Sequence, residues 1–116
     1  MNALIVDSTL AGKLLVLELE DFGVKAKNVD SITKARAEIL KNKPDVLITE
    51  LFMPDGYYLE LSKYRYLCPV ILLSSQNPSR FKQFINLTVD ACLTKPIDPL
   101  SLLTTMKELL QGFPLP

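Results

Sequence analysis

Five short apolar runs, each followed by a stretch patterned for a helix, constrain this chain more than any other feature. The runs are residues 3–6, 24–28, 46–49, 69–73 and 91–94. Strict strand–helix alternation predicts an α/β fold with a five-stranded parallel sheet, a doubly wound (βα)5 architecture with helices on both faces. Residues 24–28 are the weaker run, with Val24 and Ala26 alternating with Lys25 and Lys27; the others are almost continuously apolar, as strands buried on both faces must be.

The helices follow from spacing and punctuation. Residues 10–22 carry Leu14, Leu15, Leu17, Leu19 and Phe22 and stop at Gly23. Ser31 caps a second helix through Leu40, with Ala35, Ile39 and Leu40 inward, and Pro44 forbids its continuation. Residues 58–66 predict a short third helix. Pro78 or Ser79 starts a fourth, carrying Phe81, Phe84 and Ile85. Asp98 caps the last, with Pro99 at its first position and apolar Leu100, Leu103, Met106, Leu109 and Leu110; Gly112 ends it. A chain of 116 residues is one domain, expected over 1–112, with 113–116 as a tail or the start of a linker.

Charge narrows the function. Thirteen basic and thirteen acidic residues cancel, so no electrostatic footprint for nucleic acid or an anionic membrane is expected. No apolar stretch approaches ~20 residues, and the apolar run after Met1 and Asn2 breaks at Asp7, which predicts neither a membrane span nor a signal peptide. The expected location is cytoplasmic. Cys68 and Cys92 lack metal-ligand spacing and read as free thiols rather than a disulfide.

In a doubly wound sheet the ligand crevice lies at the C-terminal ends of the strands. The first, third, fourth and fifth strands deliver Asp7, Glu50, Ser74 and Lys95 there. A carboxylate at the tip of a buried strand points to chemistry.

The segment from Pro44 to Gly56, together with Asp7, Ser74 and Lys95-Pro96 at matching spacing, closely resembles the receiver domain of response regulators, a CheY-like family of flavodoxin-like architecture. The resemblance covers the whole chain. It implies a phosphoacceptor at position 50 and Mg²⁺ held by that residue and two acids after the first strand, which neutralises the phosphoryl oxygens during in-line transfer. It further implies a hydroxyl at Ser74 and a lysine at Lys95 that engage the phosphoryl group, and a cis bond before Pro96. It implies protein partners: a histidine kinase, an effector domain or a second copy.

Several positions depart from the family pattern. The acceptor is Glu50 rather than Asp, Ser8 replaces the second acid, Cys92 replaces the switch aromatic and Tyr58 stands where many members carry Gly. Losing one of three carboxylates weakens Mg²⁺ binding by about an order of magnitude or more, leaving at most a weak site at Asp7 and Glu50. A glutamate reaches ~1.3–1.5 Å further than aspartate, which spoils in-line geometry. It also brings the carboxylate toward Lys95 and Ser74, in imitation of the phosphorylated contact.

The expected function is therefore a pseudo-receiver without enzymatic activity, working as a phosphorylation-independent protein–protein interaction module. Two alternatives stand beside it. One is a receiver that still accepts a phosphoryl group, favoured by Asp7, Ser74 and Lys95. The other is a domain binding a nucleotide or flavin, which the scattered Gly12, Gly23, Gly56 and Gly112 disfavour because they build no phosphate loop. The docking face expected from sequence lies on the last two helices, with Phe81 and Phe84 as apolar anchors beside Lys107.

Overall fold

The structure is a computed structural model that describes residues 1–75 and 82–112. Five parallel strands form one sheet: β1 (Asn2–Val6), β2 (Lys25–Val29), β3 (Val46–Glu50), β6 (Val70–Ser74) and β7 (Ala91–Thr94), in the spatial order β2-β1-β3-β6-β7. The helices are α1 (Leu10–Asp21), α2 (Ile32–Lys41), α3 (Leu59–Ser62), α4 (Lys82–Thr88) and α5 (Pro99–Gly112). The strand order reverses between β1 and β3, which opens the crevice at the strand tips.

Strand alternation builds two cores. Leu4, Val6, Leu47, Val70 and Leu72 face Ile32, Ala35 and Ile39 of α2 and Leu61 of α3. Ala3, Ile5, Val46, Ile48, Ile71 and Leu73 face Leu15 and Leu19 of α1 and Leu102, Leu103 and Met106 of α5. The strands of residues 3–6, 46–48 and 70–73 are buried throughout, in keeping with their apolar composition.

Three local features differ from the sequence-based expectation. Leu40, expected inward, is exposed, because it lies one residue round the helix from the buried Ile39. Residues 58–66 are not one helix; α3 passes into a 3-10 turn at Lys63–Tyr66. Leu61 and Tyr64, three apart, are both buried, and a 3-10 turn stacks residues at that spacing. Between Glu50 and α3, two short antiparallel strands, β4 (Phe52–Met53) and β5 (Gly56–Tyr57), form a hairpin. Asp55 at its turn accepts the Ile32 and Thr33 N–H bonds at 2.9 and 3.0 Å, so the hairpin caps α2 from outside the helix.

Tyr58 is buried, and its hydroxyl meets the Thr88 hydroxyl at 2.8 Å, tying the start of α3 to the end of α4. Tyr58→Phe keeps the ring and deletes that bond. It should lower stability by about 0.5–1.5 kcal/mol, read as a shift in urea midpoint with an unchanged slope.

Candidate functional site

The sheet register gathers the candidate residues. Val6 is level with Thr49, so Asp7 lies beside Glu50 one residue further on. Glu50 is level with Leu73, and Ser74 with Thr94, which places Lys95 just beyond that pair. Ser74 is buried at the tip of β6, and its carbonyl accepts the Lys95 N–H at 2.8 Å. Alternation directs Asp7, Glu50 and Lys95 to the face that carries Ile5, Ile48 and Leu93, beneath α1 and α5.

Their side chains meet there. The Lys95 ammonium forms an ion pair with Glu50 Oε1, and the Asp7 and Glu50 carboxyls are in hydrogen-bonding contact. The Asp7 carboxylate Oδ1 also accepts the N–H and the hydroxyl of Thr9, each at 2.7 Å. Thr9 in turn caps α1. Asp7 therefore serves both the helix entry and the crevice. The Lys95–Pro96 peptide is cis.

Two neighbours hold Asp7 in place. Asn28 Nδ2 donates to the carbonyls of Ile5 and Asp7 at 3.0 and 3.1 Å. Gly12 lets the first turn of α1 lie against them, because a Cβ there would come within 2.6 Å of Asn28 Nδ2 and 2.8 Å of Asp7 Cβ.

The two carboxyls are pushed apart in acidity. Burial, and then the hydrogen bond with Asp7, raises the Glu50 pKa to about 7, against the pull of Lys95. Burial also works to raise Asp7, but hydrogen bonds from Glu50 and Thr9 and the Lys95 charge outweigh it and hold Asp7 below its ordinary value. Near neutral pH the contact is best described as an ionised Asp7 and a Glu50 close to half protonated, bridged on one side by the lysine.

Ser8 is exposed, and Cys92 is half-buried at the outer strand. Cys68 is buried, and both thiols are free. Among the described residues, no group of three or more His, Cys, Asp or Glu side chains stands where it could hold a metal ion. Beside the crevice a groove of about 250 Å³ is lined by Ala11, Leu14 and Leu15 of α1, by Glu50 and Lys95, and by Ile97.

Of the expected docking residues, Phe84 is exposed and so is Lys107, whereas Phe81 lies outside the described residues. Of the four tyrosines near the third helix, Tyr58 and Tyr64 are core and Tyr57 and Tyr66 are exposed. Sequence reasoning missed the Asp7–Glu50 contact, although adjacent parallel strands that both end in an acid imply it.

The family model described as the response regulator receiver domain matches residues 3–107. Solved structures superpose over nearly the whole chain. A response regulator receiver domain from Methylobacillus flagellatus is 27% identical, with a TM-score of 0.83 over 94% of this chain and 98% of that one. A two-component response regulator from Clostridium difficile is 25% identical, with a TM-score of 0.84 and 96% of each chain covered. The signal receiver domain of a signal transduction histidine kinase from Syntrophus aciditrophicus is 26% identical, with a TM-score of 0.82 over 96% of this chain and 90% of that one. No curated protein matches the sequence.

Proposed function

Since the chain belongs to the response regulator receiver domain family, a module of two-component signalling, we propose that it works as a pseudo-receiver: a protein–protein interaction module whose state does not depend on phosphorylation. The partners belong to the two-component kind, a histidine kinase or an effector. No helix among the described residues is long and apolar enough to cross a membrane.

One observation carries the reading. The Lys95 ammonium, which would receive an incoming phosphoryl group, is already paired with Glu50. A charge-assisted contact of this kind is worth roughly 1–3 kcal/mol, and a phosphoryl group would have to displace it. Glu50 also shares its hydrogen bond with Asp7, and its raised pKa makes it a poorer ligand for a hard cation near neutrality.

The donor set does not suit a resident Mg²⁺. Asp7 is engaged by Thr9, Glu50 by Lys95, and Ser8 offers only a hydroxyl in place of a third carboxylate. The chain's own residues therefore act as a fixed electrostatic plug: Lys95 satisfies Glu50, Glu50 satisfies Asp7, and Asp7 fixes the entry to α1.

Two measurements test this. Calorimetric titration should find no Mg²⁺ binding tighter than about 1 mM. Incubation with acetyl phosphate and Mg²⁺ should leave the intact mass unchanged. A mass increase of one phosphoryl group, retained on Glu50 after peptide mapping, would instead establish a working receiver.

A further inference from the structure

β2 is an outer strand of the sheet, with β1 on one side and an open edge on the other. The Lys25 N–H donates to the Met1 carbonyl at 3.1 Å, and the Val29 carbonyl accepts the Asp7 N–H at 3.0 Å. Successive residues of a strand turn their backbone groups to opposite sides. Lys25, Lys27 and Val29 therefore bond to β1, and the N–H and C=O groups of Ala26 and Asn28 face the open edge.

Charge around this edge is one-sided. Two grooves, of about 330 and 520 Å³, meet at Lys27 and Glu38 and run along β2 beside α2. Lys13, Lys25, Lys27, Lys34, Lys41 and Lys43 line them, against two carboxylates, Asp30 and Glu38. Six ammoniums over two carboxylates leave a surplus of four positive charges on a chain whose net charge is zero. Both carboxylates are already paired, Glu38 with Lys27 and Asp30 with Lys34, each at 2.9 Å. Lys13, Lys25, Lys41 and Lys43 form no ion pair among the described residues.

Lysines on an edge strand keep other strands away. That holds here for a second copy, because two β2 edges brought together would set lysine against lysine. It does not hold for an acidic strand. We propose that the β2 edge binds an extended acidic polypeptide segment, which adds to the sheet as a sixth strand with a carboxylate at every second position. Its backbone supplies both N–H and C=O to Ala26 and Asn28, as strand addition requires. Lys25 and Lys27 lie on the face of the sheet that carries Val29 and α2, and Lys34 and Lys41 of α2 flank the same groove. The acidic side chains are therefore those turned toward α2. The Lys34–Asp30 pair is exposed at both ends and so is worth little, which lets Lys34 turn to an incoming carboxylate. A nucleic-acid strand fits less well: its phosphates suit the lysines, but it has no repeating N–H for the open carbonyls.

The inference rests on the interaction reading and names the chemistry of the partner. Peptide binding and phosphoryl uptake are separate readouts, so either can fail without the other.

The test uses the full chain and a fluorescein-labelled peptide of about eight residues alternating Glu and Thr. Fluorescence anisotropy in low salt should give a dissociation constant on the order of 10–100 μM, and a Lys–Thr peptide should not bind. Lys34→Glu with Lys41→Glu should weaken the Glu–Thr peptide about tenfold or more and let the Lys–Thr peptide bind instead. Both positions are exposed, so the melting curve should not move. A Glu–Thr peptide methylated at every amide keeps its carboxylates and loses its donors, and it should not bind. In the complex the Ala26 and Asn28 amide protons should exchange more slowly. No binding of the Glu–Thr peptide at any concentration overturns the proposal. Equal binding of the methylated peptide, or of an oligothymidylate of the same length, overturns it as well, because the patch would then attract charge without adding a strand.

Discussion

Replacing Ser8 and Glu50 together by aspartate should raise Mg²⁺ affinity by about tenfold or more and let the chain gain one phosphoryl group from acetyl phosphate. Ser8→Asp adds a hard oxygen ligand next to Asp7, at a position already exposed to solvent. Glu50→Asp withdraws the carboxylate by the length of one methylene, out of the Lys95 contact and back toward the tip of β3. In-line displacement is intolerant of a 1 Å misplacement, so neither change alone should be enough. Mg²⁺ titration and intact mass read the two effects separately. A double variant that binds the metal but takes no phosphoryl group would put the fault elsewhere in the crevice. A double variant inert in both would mean that the loops around β1 and β3 have moved beyond what these two side chains account for.

The second large effect is on stability against pH. The chain has no histidine, and Glu50 is the side chain whose raised pKa brings it to titrate between pH 5 and pH 8. The folded Glu50 pKa of about 7 lies above its ordinary 4.5. Its contribution to stability is therefore fully present below about pH 4.5 and is lost as pH rises through 7. The opposite limb comes from Asp7, Asp30, Glu38 and Asp55, all held below their ordinary values. Their contributions are lost as pH falls into the acid range.

The melting temperature should thus peak in weak acid and decline toward pH 8, with the Glu50 limb worth on the order of 2–3 kcal/mol. Glu50→Gln should flatten that decline. Lys95→Met should steepen it, because it removes the cation that opposes the upward shift, while costing much less at pH 5 where Glu50 is protonated. The pair Lys95→Met with Glu50→Gln should be flat again. Thermal melts by circular dichroism at four pH values decide it, and a Lys95→Met curve parallel to wild type would show that the two side chains are not coupled.

Much of the fold was legible because β–α alternation leaves little freedom. Once five apolar runs alternate with helical patterns, handedness and strand twist bring the tips carrying Asp7, Glu50, Ser74 and Lys95 to one crevice. What periodicity left open was the exposure of α1. Leucines around its whole circumference tell of burial without telling by what, so Leu14 and Leu17 read the same as Leu15 and Leu19 although only the latter are core. The hairpin at Phe52–Tyr57 escaped for another reason: two-residue strands carry no measurable period. Tyr58 is almost fully buried, and its hydroxyl partner is Thr88, thirty residues away, which no local pattern encodes.

The Asp55 cap has a consequence for how the crevice can be watched. The amide protons of Ile32 and Thr33 are held by a carboxylate from the turn next to Glu50 and not by their own helix. They can exchange with deuterium only when that turn lets go. Their exchange rates are thus a clock for the loop: slow if the segment after Glu50 is locked, faster if a partner or substitution pries it open, and legible in an NMR spectrum without any label in the crevice itself.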